Sequence, residues 1–385
     1  MTGVNSAAYE LTSGHWLPTG EAAYRRILGA IGEAKKTLRF EMYIFRADDT
    51  GRRFLAALQS AAHRGVQVQV LIDGFGSHQL PADFWATLRA NGGEVRVFNP
   101  FTWSSFSFRD HRKLVIVDDA IAFVGGFNIG DEYHGDGIAR GWRDLGAEVR
   151  DSARVIPLAA AFDAMYRAYD LRHRLLHRIH HPLRPAGPAT PPTRPTVLLT
   201  SPRLIGNQFR RELLHALGQA QNVQLMFGYF LPDFRLRRAL HRVVRQGGRV
   251  ELMLAGRTDV PLAQVAARAL YGSLLKRGIK IWEYQPQILH AKLAIVDDAA
   301  FVGSSNLDTR SFGINYELMV RSEGAATVSD ARKIFASDRT RCVEITLPEW
   351  RRSQTWLTRL RGLGARILIT RIDPWLARRQ LRSFS

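Results

Sequence analysis

The chain writes one short pattern twice. "FRDHRKLVIVDDAIAFVGGFN" runs from Phe108 to Asn128, and "QILHAKLAIVDDAAFVGSSN" runs from Gln287 to Asn306. Each copy sets a histidine and a lysine two residues apart, then four apolar residues, an aspartate, and a Gly-rich turn that closes on asparagine. The likeness extends upstream. "LRFEMYIFRADDTGRRFLAALQSAAHRGVQVQVLID" lines up with "VQLMFGYFLPDFRLRRALHRVVRQGGRVELMLAG". A chain that repeats itself on this scale folds as two alike units.

Each unit reads as an apolar strand, an Asp-containing turn, an amphipathic helix, a glycine and a β-branched strand. Phe54, Leu55, Leu58 and Ala62 recur at helical spacing in the first helix, and Leu236, Leu240, Val243 and Val244 do so in the second. Gly65 and Gly247 fall where a helix C-cap belongs. Strands alternating with helices predict an α/β protein with a largely parallel sheet flanked by helices, twice over. At 385 residues, each half is long enough to bury its own core. The Pro-rich stretch 181–197, "HPLRPAGPATPPTRPTV", predicts a linker between domains spanning 1–180 and 198–385.

Formal net charge is +19, with seven lysines and the remaining cations arginine. That field attracts polyanions, either nucleic acid or the anionic face of a membrane. The single Cys342 excludes an internal disulfide framework and a Cys-rich metal site. His173, His177, His180 and His181, just before the linker, have spacings open to a metal site or to a basic helix. No basic start with an apolar core opens the chain, and no run of about 18 apolar residues occurs, so neither a signal peptide nor a transmembrane helix is expected. Work on lipid would be done from the surface.

The run after each lysine is β-forming, and side chains two apart on a strand share a face. His111 would therefore project with Lys113, and His290 with Lys292. A neutral imidazole serves as nucleophile or general acid/base near pH 7, and an ammonium beside it holds a phosphoryl oxygen. The turns Gly125–Asn128 and Gly303–Asn306 would supply small residues, backbone donors and an amide to the same pocket.

These two copies resemble the HKD motif of the phospholipase D superfamily, over nearly the whole chain. The resemblance implies two similar phospholipase D-type domains, with mixed sheets flanked by helices and related by a pseudo-twofold axis, that build one phosphodiesterase site without a metal or other cofactor. It implies His111 as the nucleophile that forms a phosphohistidine and His290 as the general acid/base. Lys113, Lys292, Asn128, Asn306 and Ser304 would hold the non-bridging oxygens. A carboxylate beyond each Gly-rich turn, Asp144 in the first half and Glu317 in the second, would orient a histidine. Asp118 and Asp297 count in the catalytic set by motif, although their place after four apolar residues predicts that they brace the strand end. Copy one departs from the family pattern with Gly-Gly for Gly-Ser, and copy two has one residue fewer between Asp297 and Gly303.

The finer match, in "EMYIFRADDTGRRF", "GWRDL" and "GSSNLDTRSFGINYELMV", is similar to bacterial cardiolipin synthases of the form without an N-terminal transmembrane pair. It implies phosphatidyl transfer onto phosphatidylglycerol by a peripheral protein on the cytoplasmic side of the cell membrane. Phospholipid would be the partner and nucleic acid not, with hydrolytic phospholipase D and a nuclease as the rival readings. Phe101, Trp103, Phe106 and Phe108 would form either an apolar lip for acyl chains or an ordinary packed hairpin. The C-terminal "WLTRLRGLGARILITRIDPWLARRQLR" would lie on an anionic bilayer or stand as a solvated basic helix.

Overall fold

The computed structural model describes residues 15–100, 107–168, 195–202 and 207–372. Phe101, Trp103, Phe106, the four histidines near the linker and most of the linker itself lie outside the described residues.

The first lobe holds β1 (Trp16–Leu17), β2 (Thr37–Met42), β3 (Gln67–Asp73), β4 (Glu94–Phe98), β5 (Lys113–Val117), β6 (Ile121–Gly125) and β7 (Gly146–Val149). Its helices are α1 (Gly20–Glu33), α2 (Asp49–His63), α3 (Ala86–Ala90) and α4 (Ser152–Arg167). The strands form one sheet in the order β1-β7-β6-β5-β2-β3-β4. The second lobe has β8 (Val197–Thr200), α5 (Gln208–Ala216), β9 (Asn222–Phe227), α6 (Phe234–Arg245), β10 (Arg249–Ala255), α7 (Pro261–Leu275) and β11 (Lys280–Tyr284). It continues through β12 (Lys292–Val296), β13 (Ala299–Gly303), α8 (Thr309–Gly313), β14 (Glu317–Ser322), α9 (Ala325–Arg339), β15 (Cys342–Ile345), α10 (Leu347–Ser353) and α11 (Trp356–Ile367). Its sheet order is β15-β11-β10-β9-β12-β13-β14-β8. Val197, placed in the linker on sequence, is the first residue of β8.

The central run β4-β3-β2-β5-β6-β7 thus recurs as β11-β10-β9-β12-β13-β14. Both sheets are mixed. Only β2, β3 and β4, and their counterparts β9, β10 and β11, are mutually parallel. The motif strands β5 and β12 run antiparallel to their neighbours on both sides. The expectation of a largely parallel sheet therefore holds for one side of each sheet only. Three residues join β5 to β6 and two join β12 to β13, and connections that short link antiparallel strands alone. That difference in turn length also accounts for the residue missing from copy two.

The predicted helix faces are buried as expected. In α2, Phe54, Leu58 and Ala62 reach the core while Leu55 packs at its edge; in α6, Leu236, Leu240 and Val243 do so with Val244 at the edge. Asp48 and Asp233 cap the N-termini by accepting from Gly51 N and Leu236 N. Gly65 and Gly247 follow the helices at φ of +86° and +87°, a conformation open to glycine at no steric cost.

Two further apolar clusters cross between the lobes. Tyr316, Leu318 and Val320 of the second lobe pack with Phe162 of α4, and Trp16, Leu145 and Ala147 of the first pack with Ile334 and Phe335 of α9. The lobes are thus fastened over a shared core rather than tethered. Among the described residues, no helix is long and apolar enough to cross a membrane.

Candidate active site

Two short backbone bridges place the site on the lobe interface. Asp110, just before His111, pairs with Tyr316, just before Glu317; Arg143, just before Asp144, pairs with Leu289, just before His290. His111 N donates to Tyr316 O at 3.0 Å and His290 N donates to Arg143 O at 2.8 Å. The exchange is reciprocal, as an isologous twofold contact is. Each motif histidine consequently meets a carboxylate from the opposite lobe. His111 Nδ1 lies 3.0 Å from Glu317 Oε2, and His290 Nδ1 lies 2.6 Å from Asp144 Oδ2.

Both carboxylates are buried and held. Glu317 Oε2 also accepts from Ser304 Oγ at 2.5 Å, and Oε1 accepts from Ser311 Oγ at 2.9 Å. Asp144 Oδ1 accepts from Leu145 N at 2.8 Å. The shorter aspartate needs a closer approach, and the turn grants it. A Cβ at Gly126 would sit 2.2 Å from Asp144 Oδ1, so this position, occupied by Ser304 in the second lobe, admits only glycine. The Gly-Gly departure in copy one is the counterpart of having Asp in place of Glu.

Burial, joined by the positive charges of Lys113 and Lys292, lowers the pKa of His111 to about 4 against the opposing pull of Glu317. His290 is lowered by burial and by Lys292, with Asp144 opposing. Burial alone would raise Asp144 and Glu317, yet the histidine and lysine beside each hold both below the ordinary carboxylate range. The stable arrangement is therefore neutral imidazole against ionised carboxylate. Nδ1 carries the hydrogen and donates it, and the lone pair is left on Nε2, which has no hydrogen-bond partner among the described residues.

The charge of each lysine acts on both histidines. Lys113 Nζ donates to His111 O at 2.7 Å, Lys292 Nζ donates to His290 O, and the field of each reaches the histidine of the other lobe. Burial lowers them to about 7 and about 8, with the carboxylates pulling the other way. Two lysines so desolvated are poised to gain an anion.

Several residues here were not singled out on sequence. The His111 ring meets Tyr43 at 4.8 Å, and the His290 ring meets Tyr133, Trp142 and Tyr229 at 5.4, 5.6 and 6.3 Å. Arg143, fully buried, donates from Nε and Nη2 to Asp338 of α9 at 2.9 and 2.6 Å, and from Nη1 to Pro18 O at 2.6 Å. It thereby locks the backbone that carries both Asp144 and the acceptor for His290 N. Its place beside Asp144 in "GWRDL" was the one available signal; nothing local announces Asp338.

Two of the expected site residues, Asp118 and Asp297, lie away from this cluster. Asp118 accepts from the backbone N–H of Lys35, Lys36 and Thr37, and Asp297 from those of Gln221 and Asn222. They brace the entry to β2 and β9 at the far end of a strand about 17 Å long, too distant to touch the reacting atoms. Asn128, expected on phosphate, accepts from Ile44 N at 3.0 Å and donates to Tyr133 Oη at 2.8 Å, which fixes its amide beside the ring that packs on His290. Ser304 likewise buttresses Glu317 and accepts from Leu318 N. Asn306 differs, since its Oδ1 is buried without a hydrogen-bond partner. No group of three or more His, Cys, Asp or Glu side chains among the described residues is arranged to hold a metal ion.

Two imidazoles with free Nε2 atoms and two ammonium groups across one interface can attack a phosphodiester, hold its oxygens and protonate its leaving group. Residues 27–165 and 213–339 match the family model described as "Cardiolipin synthase, PLD-like domain". The chain belongs to this family. Cardiolipin synthase B of Shigella flexneri is 34% identical over 353 residues, spanning 88% of this chain and 83% of that protein. Cardiolipin synthase 1 of Bacillus anthracis is 31% identical over 351 residues, spanning 88% and 68%. The fold is also similar to phosphatidylserine synthase of Haemophilus influenzae, with a TM-score of 0.72 and 14% identity over 95% of this chain and 96% of that one. The family's two-domain match coincides with the two mixed sheets.

Proposed function

We propose that the protein is a phosphatidyltransferase of the cardiolipin synthase type, acting on phosphatidylglycerol at the cytoplasmic surface of the cell membrane. In the first step His111 Nε2 attacks phosphorus, the bond to the glycerol head group breaks, and His290 Nε2 delivers a proton to the departing oxygen. Glycerol leaves and the phosphatidyl group remains on His111. In the second step the hydroxyl of another phosphatidylglycerol passes its proton to His290 and attacks the same phosphorus, which frees His111 and yields cardiolipin. His290 must be protonated to begin. The phosphodiester anion offsets the field of Lys113 and Lys292 and so raises the histidine toward that state. Asp144 and Glu317 stabilise each ring as it becomes charged.

The observation that carries this reading is the reciprocal imidazole–carboxylate pairing across the lobes, with both lysines buried within reach of both carboxylates' charge. The names of the relatives favour lipid as the substrate. The test is incubation of the purified protein with phosphatidylglycerol vesicles in the presence of a chelator, with products read by mass spectrometry. Cardiolipin and glycerol are expected. Phosphatidic acid alone would replace transfer by hydrolysis, and inert lipid with cleaved DNA would replace it by a nuclease.

A further inference from the structure

Helix α11 packs one face and leaves the opposite one bare. A Cβ built at Gly362 would lie 2.9 Å from Ala269 Cβ of α7, Ala365 is buried, and Ile369 packs on the second-lobe core. These residues define the inner face. Trp356, Leu360, Leu363 and Ile367 recur at i, i+4, i+7 and i+11 on the outer one, and they are 73%, 56%, 46% and 46% exposed. Such a stripe of large apolar side chains marks an interaction surface.

Trp350 of α10 lies against Gly272, and Gly362 of α11 lies against Ala269 and the Val265 carbonyl, so the two helices step along α7 from its C-terminal toward its N-terminal half. Leu262 and Val265 in the first turns of α7 are exposed as well. Helix α7 begins just after Asp259, which accepts from Tyr229 Oη at 2.5 Å, and the Tyr229 ring faces His290. The start of α7 therefore lies beside the candidate active site. The borders of the stripe are cationic: residues 346–372 contain six arginines and one acid, Glu349, and Arg351, Arg352 and Arg361 are exposed.

We infer that the outer face of α11, with the N-terminal turns of α7, is the surface by which this protein lies on an anionic bilayer and draws lipid to its site. The inference rests on the lipid reading above. The geometry suits an interfacial helix, with apolar side chains entering the acyl boundary and flanking arginines on acidic head groups.

The test uses the full chain carrying W356S, L360S and L363S together, exposed positions whose replacement leaves the core intact. Flotation with phosphatidylglycerol vesicles, measured in a His111→Ala background so that lipid is not consumed, is expected to weaken at least about tenfold. With His111 restored, turnover of vesicle lipid falls in parallel, while turnover of dihexanoyl phosphatidylglycerol as a monomer is unchanged. A dye placed through Leu360→Cys in a Cys342→Ser background is expected to report an apolar environment on phosphatidylglycerol vesicles and not on phosphatidylcholine ones. Unchanged flotation with a silent dye would overturn the proposal. So would a dimer in solution that the triple variant dissolves without loss of vesicle binding, because the stripe would then be a subunit contact. Stripe-dependent flotation by a protein inert toward every phospholipid would sustain the docking surface and sink the transferase reading instead.

Discussion

Asp144 of the first lobe and His290 of the second meet at 2.6 Å, and the backbone of the preceding residue, Arg143, accepts from His290 N. Side chain and main chain thus make the same crossing, and Glu317 with His111 makes its mirror. Neither histidine is oriented by its own lobe. The duplication is therefore functional at the level of hydrogen bonds, since each half lacks what the other brings.

The protonation states set the pH response. His111 must be neutral to attack, and its pKa is about 4; Lys113 and Lys292 must be charged to hold phosphate, at about 7 and about 8. We expect kcat/KM, which reports the free enzyme, to rise through pH 4 as His111 loses its proton and to fall on the alkaline side first as His290, whose pKa burial and Lys292 lower, loses the proton it must deliver, and further as Lys113 discharges near pH 7. Lys113→Met should lower activity and move the His290 limb to higher pH, because the Lys113 charge no longer opposes the His290 proton. A profile flat through pH 9 to 10 in the wild type would contradict this assignment.

Gly126→Ser copies the second lobe's residue into the first. Its Cβ would displace the Asp144 carboxylate and tilt His290, and a misplacement of about 1 Å costs roughly 100-fold in kcat. The reverse change, Ser304→Gly, removes one of four hydrogen bonds to Glu317 and should cost about tenfold or less. Steady-state kinetics on the pair separates the close approach from loss of a hydroxyl.

Asp338→Ala leaves the Arg143 guanidinium buried without its carboxylate. A destabilisation of about 3–5 kcal/mol is expected from denaturant unfolding, with loss of activity at temperatures where the fold persists.

Asp118→Ala tests the motif letter against the chemistry. The variant loses three acceptor contacts to backbone N–H groups, so stability should drop by about 1–3 kcal/mol while kcat stays within about threefold. A collapse of kcat in a folded variant would return Asp118 to the catalytic set.

Much of this was written locally. The helix faces around Phe54 and Leu236, the glycines at 65 and 247, and the two histidine–lysine pairs are spacing patterns within a few residues of one another. The antiparallel half of each sheet was also within reach, because the short turns after Val117 and Val296 permit no crossover. What sequence could not disclose is contact made at long range. The step from His111 to Glu317 spans 206 positions and that from Arg143 to Asp338 spans 195. No periodicity records either. The partners of Asn128 and Ser304, Ile44 N and Glu317, are likewise fixed by tertiary packing rather than by the Gly-rich turn.

The most direct measurement is a burst experiment with phosphatidyl-p-nitrophenol, whose leaving group departs without a proton. His290→Ala should release about one equivalent of nitrophenolate per enzyme and then stall, with the phosphatidyl group found on the His111 peptide by mass spectrometry; His111→Ala should release none. A burst from His111→Ala, or an adduct on any residue other than His111, would contradict the account.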